Sequence, residues 1–168
     1  MRRALAWIAV VVTALVLQST VFSQIELAGA SPELMYLVTT VLAMLEGSSA
    51  GAVGGFTAGM MQDFLLDQPK GITALTLTLV GYVVGTVRPY ITTPSPLLPV
   101  FLVAAATAGG ILFYGVVAFL LGQLPQGVGY LLRTAVLSGI YNAVLTPIFF
   151  PVLRRVTEAS RPKKVYRW

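Results

Sequence analysis

Six apolar runs, separated by short polar or turn-forming segments, take up most of the chain. They lie at about 4–22, 32–45, 48–66, 71–87, 97–121 and 130–153. A hydrocarbon core about 30 Å thick needs about 20 apolar residues at helical rise. The pattern therefore predicts an all-α, polytopic membrane protein with six transmembrane helices. Residues 1–168 form one six-helix domain, of which residues 154–168 are a basic cytoplasmic tail. The first run follows Arg2-Arg3, and Ala28-Gly29-Ala30 mimics a cleavage site. The run is too long and the small residues too distant for a signal peptide, so an uncleaved first span is expected. The second run covers only about 21 Å, so it sits askew or lies partly inside the protein. Ser31-Pro32-Glu33 opens it, with Ser31 as N-cap, Pro32 at the first helical position and Glu33 at the positive end of the dipole. Gln68-Pro69-Lys70-Gly71, Arg88-Pro89, Thr92-Thr93-Pro94-Ser95-Pro96 and the segment Gly122 to Gly127 read as connections. Pro147 is expected to kink the last span.

Glycine breaks the apolar pattern at a fixed interval. Gly47, Gly51, Gly55 and Gly59 fall four residues apart in the third run, and Asp63 follows at the same step. Gly81 and Gly85 repeat the spacing in the fourth run. Glycine weakens an isolated helix, but in lipid small residues let two backbones approach closely. Steps of four gain about 40° per turn, so the stripe winds slowly around its helix. Such a surface packs against another helix, either within the bundle or on a partner.

The composition removes much of enzyme chemistry. There is no cysteine and no histidine, which excludes disulfides, thiolate or imidazole metal sites, a cysteine nucleophile and a histidine base. A glycine-rich stretch, Gly51-Ala52-Val53-Gly54-Gly55, lacks the lysine and the strand–helix setting of a phosphate loop. No cofactor, metal or catalysis is expected. The net charge of +5 reflects topology rather than nucleic-acid binding. With both termini cytoplasmic, nine of the eleven basic residues lie inside: Arg2, Arg3, Arg88, Arg154, Arg155, Arg161, Lys163, Lys164 and Arg167. Only Lys70 and Arg133 fall outside, which follows the positive-inside rule. The tail bases also suit anionic lipid headgroups.

Few polar side chains interrupt the spans. Asp63 either binds a cation, substrate or partner, or caps the turn at its helix end. Contact with another part of the chain or with a partner is favoured over solvent. Asp67 reads as a loop residue. Glu46 either pairs with Arg88, on the same side in this topology, or is solvated. Arg133 is expected to snorkel to the outer headgroups. Tyr114, Tyr141 and Asn142 either line an internal cavity or serve packing and helix bridging.

The stretch Gly47-x3-Gly51-x2-Gly54-Gly55-Phe56-x2-Gly59-x3-Asp63, followed by Gly71-x2-Ala74-Leu75-x5-Gly81-Tyr82-x2-Gly85, resembles the rod shape-determining MreD family. Leu17-Gln18-Ser19-Thr20-Val21-Phe22 and Ser31-Pro32-Glu33-Leu34 fit the same resemblance. It implies a bacterial inner-membrane protein of the cell-elongation machinery. The implied partners are MreC directly, and MreB and the peptidoglycan synthases directly or indirectly. It also implies a fold similar to the substrate-binding subunits of energy-coupling-factor vitamin transporters. The helix-packing or partner-binding residues would be Gly47, Gly51, Gly54, Gly55, Gly59, Asp63, Gly71, Gly81, Tyr82 and Gly85. The rival expectation is a vitamin-type substrate-binding subunit of a transporter.

Overall fold

The computed structural model describes residues 2–21, 31–65, 71–90, 97–123 and 127–159, with side chains from residue 6 onward. Six α-helices follow one another: α1 (Arg2–Thr20), α2 (Leu34–Glu46), α3 (Ser48–Leu65), α4 (Ile72–Val87), α5 (Leu98–Leu120) and α6 (Val128–Ala159). A short 3₁₀ turn, Arg88–Tyr90, closes α4. No strand occurs among the described residues.

Among the described residues, three helices are long and apolar enough to cross a membrane: Ile72–Tyr90, Leu98–Leu120 and Val128–Ala159. Ala6–Thr20 and Leu34–Glu46 are shorter apolar helices. The solvent these surfaces are built for shows in which residues point outward. Val136, Ile140, Val144, Ile148 and Val152 form an exposed ridge along α6, one every four residues. Leu75, Leu79 and Val83 do the same on α4, and Ile8, Val12 and Val16 on α1. Thr39, Thr40, Gln62, Asp63, Thr107, Ser138, Asn142 and Thr146 are buried instead. Large apolar side chains outside and polar ones inside suit a lipid surround, where polar groups turn toward the bundle interior. The chain is therefore read as a membrane protein.

The bundle is organised around α2. Every residue from Leu34 to Ala43 is buried, so no face of this helix is left outside. It touches all five other α-helices. A helix that is apolar all round belongs in a core, and its 13 residues reach only about 20 Å. Of the two expectations for the short second run, enclosure within the protein is the one observed. Gly47 alone separates α2 from α3. Its φ of 98° lies in the left-handed region, which glycine enters without the cost a Cβ imposes. That one residue reverses the chain and lays α3 along α2.

The expected start of α2 is corrected here. Ser31 does not cap α2. The helix starts at Leu34 with Glu33 in the N-cap position and no side-chain cap. The Ser31 carbonyl instead accepts a hydrogen bond from the Ser138 hydroxyl at 2.9 Å, which draws this segment onto α6. The last helix reaches beyond its apolar run. It runs unbroken through Pro147 and Pro151 to Ala159, carried at its end by the Arg154–Glu158 pair at 2.7 Å, an i,i+4 spacing that supports a helix.

Candidate functional site

The glycine ladder of α3 lies against α4, and the two helices meet at bare backbone. A Cβ built at Gly51 would stand 2.5 Å from the carbonyl oxygen of Gly81, and one at Gly55 would strike the carbonyl of Leu77. A Cβ at Gly59 would meet the main chain of Ala74, its nitrogen at 2.6 Å. From the other side, Gly81 would strike the carbonyl of Gly51, and Gly85 the main chain of Ser48. One ladder ascends as the other descends, because the helices are antiparallel and both step by four. Dispersion between close backbones is the attraction available in lipid, where no water is released.

The remaining ladder positions have other surroundings. A Cβ at Gly54 would strike the end of Leu42 on α2. At Gly47 it would come to 3.7 Å from the Arg88 guanidinium, so Arg88 lies beside the residue that follows Glu46. Tyr82 points outward and is half exposed. Gly71 occupies the N-cap of α4 in a left-handed conformation, with open space around it.

Asp63 closes the seam. Its carboxylate is completely buried, and Oδ2 accepts the backbone N–H of Gly71 at 2.8 Å and of Ala74 at 3.2 Å. These are orphan donors of the first turn of α4, which has no cap from its own N-cap residue. The positive end of the α4 dipole compensates the charge. Asp63 thus caps a helix, but a neighbouring one.

A second polar node gathers at the N-terminus of α2. Glu33 Oε2 accepts the Gln18 amide at 3.0 Å, and the Gln62 side chain lies beside this carboxylate. Gln18 Oε1 accepts the backbone N–H of Met35 at 3.3 Å, so α1 supplies the missing cap of α2. Asn142 on α6 donates to the Glu33 carbonyl at 2.8 Å and to the Thr107 hydroxyl of α5 at 2.9 Å. Four helices therefore hold the entry of α2. Asn142 bridges helices, and Tyr114 and Tyr141 are partly buried. The sequence pattern singled out none of Gln62, Thr107 and Ser138, and Gln18 entered only within the stretch Leu17 to Phe22. Their signal was modest: amides and hydroxyls inside apolar runs, which in lipid turn inward.

Arg133 is exposed near the start of α6, and Arg154 and Arg155 are exposed near its end. Arg161, Lys163, Lys164 and Arg167 lie outside the described residues, as do Asp67, Lys70, Ala28-Gly29-Ala30 and Thr92 to Pro96. Among the described residues, no group of three or more acidic side chains could hold a metal ion.

No curated protein matches the chain, and no solved structure does. A family model described as rod shape-determining protein MreD matches residues 1–156, and the chain therefore belongs to that family of structural, shape-determining proteins.

Proposed function

We propose that the chain is a non-catalytic scaffold of the bacterial cell-elongation complex. It crosses the inner membrane six times with both termini in the cytoplasm, in a fold similar to the energy-coupling-factor substrate-binding subunits. It binds MreC directly and helps couple MreB to lateral peptidoglycan synthesis. The basic tail, residues 154–168, lies at the cytoplasmic headgroups. Family membership supports the setting, and the distribution of bases supports the orientation.

The observation that carries the scaffold reading is the seam itself. The residues that make this sequence distinctive go into backbone contact between α3 and α4, and build a rigid body. MreC then docks on an outer helix face, leaving the seam intact. Capture of the full-length protein from bacterial membranes, read by mass spectrometry, tests this. MreC is expected as the main co-purifying protein. A preparation that lacks MreC but retains a vitamin would overturn the scaffold in favour of the transporter subunit.

A further inference from the structure

The apolar surface of the bundle is not equally tall on all sides. Along α5 the exposed large apolar side chains run from Leu97 to Leu121, and along α6 from Val128 to Val152. The members of each pair are 24 positions apart, about 36 Å at helical rise. Along α3 they run only from Val53 to Leu65, and along α4 from Leu75 to Val87. These pairs are 12 positions apart, about 18 Å. Tilt shortens the vertical reach of a helix and never lengthens it, so no tilt makes the low side as tall as the high one.

The polar ends of the helices differ in the same sense. On α6, Arg133 and Arg154 are exposed and 21 positions apart. That is about 32 Å, close to a hydrocarbon core of about 30 Å. The difference falls at one end of the bundle. Gly85 of α4 packs on the main chain of Gly47 and Ser48, so α2, α3 and α4 share a level there. Fourteen positions up α4 from Gly85 stands Gly71, whose N–H is held by the Asp63 carboxylate, a height of about 21 Å. Fourteen positions up α2 from Gly47 stands Glu33, whose carbonyl accepts from Asn142 of α6 at 2.8 Å. From that same height α6 continues nine more positions to Arg133, about 14 Å. A flat bilayer that fits α6 would therefore drown the Asp63 end of α3 and α4, and a carboxylate below the headgroups is costly.

We propose that phospholipid covers this protein at two thicknesses, with the bilayer drawn in by about 10 Å at the Asp63 end of α3 and α4 and of full height along α5 and α6. A short apolar belt is met by thinning of the surrounding bilayer, which brings the first turn of α4 to headgroup level. The wedge concerns lipid alone and is independent of the scaffold reading.

The chain has no cysteine, so single cysteines carry unique nitroxide labels on the full-length protein in dioleoyl phosphatidylcholine vesicles. Leu75→Cys and Val144→Cys put the label at exposed positions of α4 and α6. Their heights above the Gly47 level are nearly matched, about 15 Å and about 18 Å. Collision with oxygen and with a water-soluble nickel chelate reads the depth of each label. The label at position 75 is expected about 10 Å shallower than that at position 144. Equal depths would overturn the proposal. So would a label at position 75 shielded from both collision partners, since protein rather than lipid would then cover α4. Phe64→Cys and Ile140→Cys form a second exposed pair at matched height, and decide by the same outcomes should a variant of the first pair fail to fold.

Discussion

The α3–α4 and α5–α6 pairs are both antiparallel and both contain glycines at their contact, yet they pack by different rules. In α3–α4 each missing Cβ faces a main-chain atom of the opposite helix. In α5–α6 a Cβ at Gly115 would meet only the far end of Leu131, and one at Gly139 would stand 3.1 Å from the Ala104 carbonyl. A leucine end can rotate away, whereas a helical backbone cannot move without its neighbours. The same residue type is therefore indispensable in one pair and adjustable in the other. Counting glycines in a sequence does not distinguish the two; the atom across the contact does.

Substitutions that add one carbon should separate the pairs most sharply. Gly55→Ala, placed against the Leu77 carbonyl, is expected to cost about 3 kcal/mol, the upper part of the overpacking range. Thermal melting in detergent reads this, and Gly55→Leu should leave no monodisperse protein. If Gly55→Ala melts like the wild type, the seam is not close-packed and the comparison fails.

Asp63 probes the end of the seam rather than its middle. Asp63→Ala leaves the Gly71 and Ala74 N–H groups without their acceptor, at a cost of about 2 kcal/mol. Asp63→Asn keeps an acceptor oxygen in place and should cost about half as much. Hydrogen exchange at the first turn of α4 should rise in the alanine variant before global unfolding. Equal exchange in both variants would remove the cap from the account.

The smallest effects belong to α5. Gly115→Ala should change stability by under about 1 kcal/mol, because Leu131 can change rotamer. Gly109 has open space around it, so Gly109→Ala should stay within about 0.5 kcal/mol of wild type. A large loss at either site would mean that α5–α6 is as tight as α3–α4.

Hydropathy made the helices visible, and its failures have physical causes. The fourth run and α4 share their ends closely, since Gly71 and Arg88-Pro89 interrupt both the apolar pattern and the helix. At α6 the two diverge. Hydropathy falls away after Leu153, whereas Arg154, Arg155 and Glu158 are good helix formers that extend the helix to Ala159. The four-residue glycine spacing was legible, but its opposing surface was not, because Leu77 and Ala74 contribute backbone and look unremarkable as letters. Ser31 carried a cap signal that α6 overrode: Ser138 is 107 positions away, beyond the reach of any local pattern. The Glu33 node was hidden for the same reason, being assembled from α1, α3 and α6 onto α2 and tied to α5 through Asn142.

The enclosure of α2 sets an order on biogenesis. Its entry is fastened by Asn142, 109 positions downstream, so the clasp does not exist until the ribosome has delivered the last helix. Until then only Gln18 of α1 holds the entry of α2 by a side-chain hydrogen bond. A nascent chain halted after α4 would be a protein without a lock, and the membrane's quality-control proteases would meet it first.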